Sequence, residues 1–208
     1  MQTLISDYVR LCEVKLPYKG RQKYMYTFHL ANPTMPEGFE DYLDIVSELC
    51  ATVKAHEGFA HMTVDEKEVK AGTSQRRPKP HVDGCFVLEI PKLSEGVYTG
   101  GSWTHRSWLH YCNNIRVGHV SRMPVIIASS YPACKAWHGT FIGDPAEDGD
   151  LSHIADQLDD GKVLESNVAY LLSPDCVHES MILKEDVKRT FLRIALPIDQ
   201  WAKFWGSA

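Results

Sequence analysis

The alternation of apolar and polar residues resolves the chain into short strand-like runs and one well-marked helix. Lys23 to Leu30 alternates loosely and is rich in aromatics, as a half-buried strand is. Phe39, Tyr42, Leu43, Val46, Leu49, Cys50 and Val53 recur at the spacing of one helix face. Thr34 and Glu37 form a capping-box pair ahead of them, Pro36 suits a first turn, and Gly58 follows as a stop. The spacing predicts a helix over 34–57 whose apolar stripe packs on the outside of a sheet.

Beyond residue 60, strands predominate. Val82 to Ile90, Met123 to Ser129, Asn167 to Ser173 and Lys188 to Pro197 read as strands, with Pro174 ending the third. In the last run, Arg189, Phe191 and Arg193 share one face, while Thr190, Leu192 and Ile194 share the other. Arginines on an inward face are costly unless anions meet them. A guanidinium fork suits a carboxylate.

The segments between strands differ in character. Residues 65–80 are polar and basic, and read as a solvated loop or as a basic lip. The lip would set Arg76 and Arg77 toward an acidic substrate or a phosphate backbone, because the run ends at His81. Residues 92–122 gather Trp103, His105, Trp108, His110 and Tyr111 among glycines, and Trp103 is a candidate for a pocket wall. Residues 143–162 are acidic without the register of an EF-hand, so they read as a solvated loop with a short helix near 151–158. His153 in that helix is a weaker candidate ligand than His178.

Bulk properties narrow the setting. The chain of 208 residues suits one domain with a sizeable core. Its net charge of −5 runs against a non-specific nucleic-acid binder. No apolar run is long enough to span a bilayer, and Asp7 and Arg10 interrupt any leader-like start. The six cysteines show neither a C-x-x-C pair nor zinc spacing, so reduced thiols in a cytoplasmic protein are expected.

The candidate chemistry lies at two distant points. His81 and Asp83 are two residues apart in a strand-like run, so they face the same way and can take adjacent positions on a metal. His178 would complete two histidines and one carboxylate on one face of an octahedral ion. That arrangement leaves open positions and suits non-haem Fe(II) activating O2. Cys176, two residues from His178, is a rival nucleophile with no base or oxyanion signature around it.

An H-x-D pair, a distal histidine and an arginine about ten residues later resemble the Fe(II)/2-oxoglutarate-dependent oxygenases. The resemblance covers roughly residues 75–197 and implies His81, Asp83 and His178 as iron ligands. It further implies Arg189 as the partner of the far carboxylate of 2-oxoglutarate, and Arg193 as a contact for an anionic substrate group or for the iron-proximal end of the co-substrate. Many members carry Arg-x-Ser. Here the run is Arg189-Thr190-Phe191, which removes a hydroxyl partner and leaves the donor set for that carboxylate incomplete.

The expected fold is mainly β with flanking helices around a double-stranded β-helix (jelly-roll, cupin-like) core. It forms one domain over 1–208, with an α/β lead-in at 1–60, the core at 61–197 and a tail at 198–208. The expected activity is hydroxylation of an unactivated C–H with Fe(II), 2-oxoglutarate and O2, releasing succinate and CO2. A small anionic substrate such as an amino acid is expected ahead of a nucleic-acid base or a protein side chain. The rival expectation is a non-catalytic cupin-like binding domain.

Overall fold

The period-two runs fold as antiparallel strands. A computed structural model describes residues 1–83, 86–87, 119–120, 123–146, 149–197 and 200–205. In chain order its strands are β1 (Thr3–Ser6), β2 (Tyr8–Glu13), β3 (Gln22–His29), β4 (Phe59–Val69), β5 (Phe86–Val87), β6 (His119–Val120) and β7 (Val125–Ser129). They continue with β8 (Cys134–Ala136), β9 (Gly139–Ile142), β10 (Lys162–Val163), β11 (Val168–Leu172), β12 (His178–Ser180) and β13 (Val187–Ala195). Among the described residues the helices are α1 (Leu43–Thr52) and α2 (Gln200–Trp205), with shorter 3-10 turns at Glu40–Tyr42 and Ser152–Gln157. No helix among the described residues is long and apolar enough to cross a membrane.

One six-stranded antiparallel sheet, in the order β2-β11-β7-β13-β4-β3, is the largest among the described residues. Its two faces are covered differently. Leu192 and Ile194 of β13, Ile126 and Ala128 of β7, and Met62 and Val64 of β4 pack under α1, against Val46, Leu49 and Cys50. Phe191 and Ala195 of β13 point the other way, with Val125 and Ile127 of β7 and Tyr170 and Leu172 of β11. There they meet Cys134 and Ala136 of a second sheet, ordered β10-β8-β12. The two sheets thus pack face to face across an apolar cluster, and every side chain of β7 and β11 is buried.

Several local expectations are corrected. The helix begins at Leu43, after its 3-10 turn, and not near Thr34. Gly38 takes φ +81, a conformation incompatible with a helical turn, and its N–H donates to Glu40 Oε1 at 2.9 Å. The Thr34 hydroxyl meets Tyr26 Oη at 3.1 Å instead of capping. The helix also ends before Gly58. Lys54 adopts φ 54 and the Ala55 N–H reaches the Cys50 carbonyl at 2.8 Å, a Schellman-type closure.

The basic run at 65–80 is only partly a loop, since β4 extends to Val69 and buries Asp65 and Glu66. The lead-in contributes both edge strands of the large sheet, β2 and β3, while β1 pairs with β9. The C-terminal segment is a docked helix: Gln200 donates to the Val53 carbonyl at 2.6 Å, and Trp201 and Phe204 pack on the α1 core. Trp103 and most of the strand expected over 82–90 lie outside the described residues.

Candidate metal centre

His81 and His178 are brought together by the backbone. The N–H of each donates to the carbonyl of the other at 3.0 Å, which makes them a directly opposed antiparallel pair. Their rings lie 4.4 Å apart between centroids. Val82, between His81 and Asp83, turns outward into an apolar cluster with Trp137, Leu151, Ile154 and Val177. Alternation about that anchor turns Asp83 back toward the histidines. One ligand atom from each of His81, Asp83 and His178 lies within 4.8 Å of the others, and the Asp83 Oδ2 to His178 Nε2 distance is 3.8 Å.

Both imidazoles are held ready for a metal. His81 Nδ1 bonds the Lys79 carbonyl at 2.6 Å, and His178 Nδ1 bonds the Cys176 carbonyl at 2.9 Å. A carbonyl only accepts, so each Nδ1 carries a proton and Nε2 is the nitrogen left to face a metal. Burial, and then the neighbouring His178, lower the His81 pKa to about 3, which keeps that ring neutral. Burial pushes the Asp83 carboxyl up, but Arg193, His178 and His81 outweigh it and hold it below the usual carboxylate range. Two imidazoles and one carboxylate converging on one point form a donor set that fits a divalent first-row metal.

Arg193 is at this cluster and not on an open wall. Its Nε donates to Asp83 Oδ2 at 2.6 Å, and its Nη1 lies 4.0 Å from the Met25 sulfur. Met25 belongs to an irregularity in the β3–β4 pairing and takes φ 53, in the left-handed region that methionine seldom adopts. His153 sits exposed on its 3-10 turn, outside the cluster. Cys176 is buried with its thiol pushed up by burial, and His178 Nδ1 bonds its carbonyl and not its sulfur. Both facts run against a nucleophilic role for Cys176.

Arg189 lies on the same face of β13 as Arg193, and none of it is exposed. Its Nε donates to Ser129 Oγ at 2.8 Å and its Nη1 to Ser180 Oγ at 3.4 Å. Its Nη2 is buried with no hydrogen-bond partner. Burial lowers its pKa to about 10, so it remains charged at neutral pH. A buried guanidinium with an open donor is a costly arrangement that an anion relieves.

Sequence reasoning missed both serines. Ser180 had a signal, since it stands two residues from His178 on β12 and shares its inward face. Ser129 had none beyond its place at the end of β7. Both accept from Arg189, and the Ser129 hydroxyl in turn donates to the Tyr131 carbonyl at 2.7 Å.

Arg76 and Arg77 do not form an open basic lip. Arg76 turns inward over Phe191, its guanidinium 5.7 Å from the ring centroid. Arg77 is half-buried beside Gly149. Comparison with known families, curated proteins and solved structures finds no match to this chain.

Proposed function

We propose that the protein is an Fe(II)- and 2-oxoglutarate-dependent dioxygenase that hydroxylates an unactivated C–H of a small anionic molecule. The observation that carries this reading is a juxtaposition. A His-Asp-His cluster and a buried arginine with an open donor lie on the same side of the large sheet, joined through β12, which carries both His178 and the Ser180 hydroxyl bonded to Arg189. On this reading the two facing sheets are the halves of a double-stranded β-helix.

His81, Asp83 and His178 would hold the iron, and Arg189 with Ser129 and Ser180 would hold the far carboxylate of 2-oxoglutarate. When bound, iron and 2-oxoglutarate supply the oxidising chemistry that adds one oxygen atom of O2 to the substrate, the other leaving in succinate as CO2 is lost. The chain's own part is positional. The Lys79 and Cys176 carbonyls fix both imidazole tautomers. Arg193 keeps the Asp83 carboxylate ionised and oriented. His178 and Ser180 are neighbours on one strand face, roughly 7 Å apart along the strand. That spacing suits a short dicarboxylate reaching from the cluster to Arg189. The apolar cluster of Phe191, Ile127 and Tyr170 keeps water from the space between the two sheets.

The inward set of Arg76 and the half-buried Arg77 favour a small substrate over a nucleic acid, which would need exposed cations along a groove. The test is an anaerobic titration of the metal-free protein with Fe(II) and then 2-oxoglutarate, watching for the weak visible charge-transfer band of a chelated keto acid. The band is expected with the wild-type chain and lost in His178→Ala. Iron binding without the band would remove the 2-oxoglutarate assignment. No iron binding at all would leave a non-catalytic binding domain.

A further inference from the structure

Phe191 carries two guanidinium groups. Arg189 lies 5.8 Å and Arg76 5.7 Å from the centroid of its ring. A single hydroxyl also joins the two residues, because Ser180 Oγ accepts from the Arg76 backbone N–H at 3.3 Å and from Arg189 Nη1 at 3.4 Å. Like charges gathered at one buried ring repel unless a counter-charge lies between them.

Among the described residues, one carboxylate approaches this pair. Asp65 Oδ2 is 3.9 Å from Arg76 Nη1, and it is also 3.2 Å from Lys67 Nζ. Arg76 and Lys67 therefore share one carboxylate, while the contacts of Arg189 are to the neutral hydroxyls of Ser129 and Ser180. The two arginines also differ in access. Arg189 is fully buried at the floor, whereas the Arg76 side chain is 28% exposed at the rim. Of the two guanidinium groups, only that of Arg76 is in contact with solvent.

We propose that Arg76 is a second cation for the carboxylate that Arg189 receives, so that the far end of the co-substrate is gripped from floor and rim together. This rests on the oxygenase reading for the identity of the ligand, but not for the presence of an anion site. It moves Arg76 from a surface lip for substrate to the co-substrate pocket. Arg76 stands five residues before His81 on the same segment, and the Ser180 N–H holds that segment through the Arg77 carbonyl at 2.8 Å. A ligand that draws Arg76 inward therefore also steadies the approach to the metal.

The experiment compares wild type, Arg76→Gln and Arg76→Lys by anaerobic titration of the Fe(II)-loaded protein with 2-oxoglutarate and with pyruvate, a keto acid lacking the far carboxylate. Arg76→Gln is expected to weaken 2-oxoglutarate about tenfold or more, with Arg76→Lys recovering part of the loss. Pyruvate and iron affinities are expected to be unchanged, which a merely structural defect would not allow. Unchanged 2-oxoglutarate affinity, or an equal loss for pyruvate, would overturn the proposal. The thermal upshift of the metal-free protein with succinate is measured in parallel. If the wild type forms no iron complex but succinate binding still depends on Arg76, the anion site stands and the oxygenase reading falls. If neither complex forms, both fall.

Discussion

Asp65 and Glu66 are neighbours on β4 that point to opposite faces of the large sheet, and both are buried. Glu66, on the helix-covered face, is fully matched. It accepts from Tyr42 Oη and from Arg21 Nη2, each at 2.7 Å, and from the backbone N–H groups of Lys19 and Arg21. Asp65, on the inner face, keeps a buried oxygen with no hydrogen bond. The other buried unmatched side-chain atoms among the described residues are Arg189 Nη2 and Gln75 Oε1. Gln75 donates to the Asp65 carbonyl at 2.6 Å, so all three belong to one neighbourhood. The helix-covered face is matched by the chain itself, and on the other face Arg189 Nη2 is the one donor of the three that an anionic ligand can complete.

The contrast is sharpest if a buried arginine can be removed without harming the fold. Arg189→Met keeps similar volume and removes a desolvated charge. It is expected to weaken 2-oxoglutarate roughly a hundredfold or more while leaving the melting temperature unchanged or higher. Calorimetric titration and thermal unfolding check the two halves, and a large fall in melting temperature would show that Arg189 is structural. Glu66→Gln should do the reverse. Breaking its matched pair is expected to cost about 3 kcal/mol of stability, read by denaturant unfolding, with iron affinity retained.

Gly149 tests the anchor of the metal ligands. It takes φ +86, and an added Cβ would run into the Val82 carbonyl, between His81 and Asp83. Gly149→Ala is expected to cost about 2 kcal/mol and to weaken Co(II) binding, followed by visible spectroscopy. Ser180→Ala removes one hydroxyl from Arg189 and is expected to cost about 1 kcal/mol in 2-oxoglutarate binding, with pyruvate unaffected.

The smallest effect is on acid stability. Burial pushes the Glu66 carboxyl up, but hydrogen bonds from Arg21, Tyr42 and the backbone outweigh it and hold its pKa below the usual value. A group depressed in the folded state stabilises above its unfolded pKa and loses that contribution as pH falls through the folded value. Melting temperature is therefore expected to be flat at neutral pH and to decline below the ordinary glutamate range. The decline should be shallower in Glu66→Gln.

The inner face was legible in the sequence where periodicity carried it. The two-residue alternation in 188–197 separates Arg189 and Arg193 from Leu192 and Ile194, and the structure keeps that separation. The spacing of His81 and Asp83, with His178 far downstream, identified three residues that the fold does bring together. Ser129 and Ser180 were not legible as partners of Arg189, because single hydroxyls from remote strands leave no pattern. Asp65 and Glu66 were hidden by their charge, since paired acids in a basic run ordinarily lie in solvent. The helix start was misplaced because a local capping signature yielded to the Gly38 turn and to the Arg21 contacts with the Gly38 carbonyl and Asp41. The six-residue helix α2 is too short to show a period.

The most direct measurement is a calorimetric titration of 2-oxoglutarate into the anaerobic protein with and without Mn(II) as a redox-silent stand-in for iron. A single site that requires the metal and is lost in both Arg189→Met and His178→Ala is the predicted result. Equal binding without metal, or no binding with it, would contradict the claim that the open face of this sheet is completed by a metal-chelated dicarboxylate.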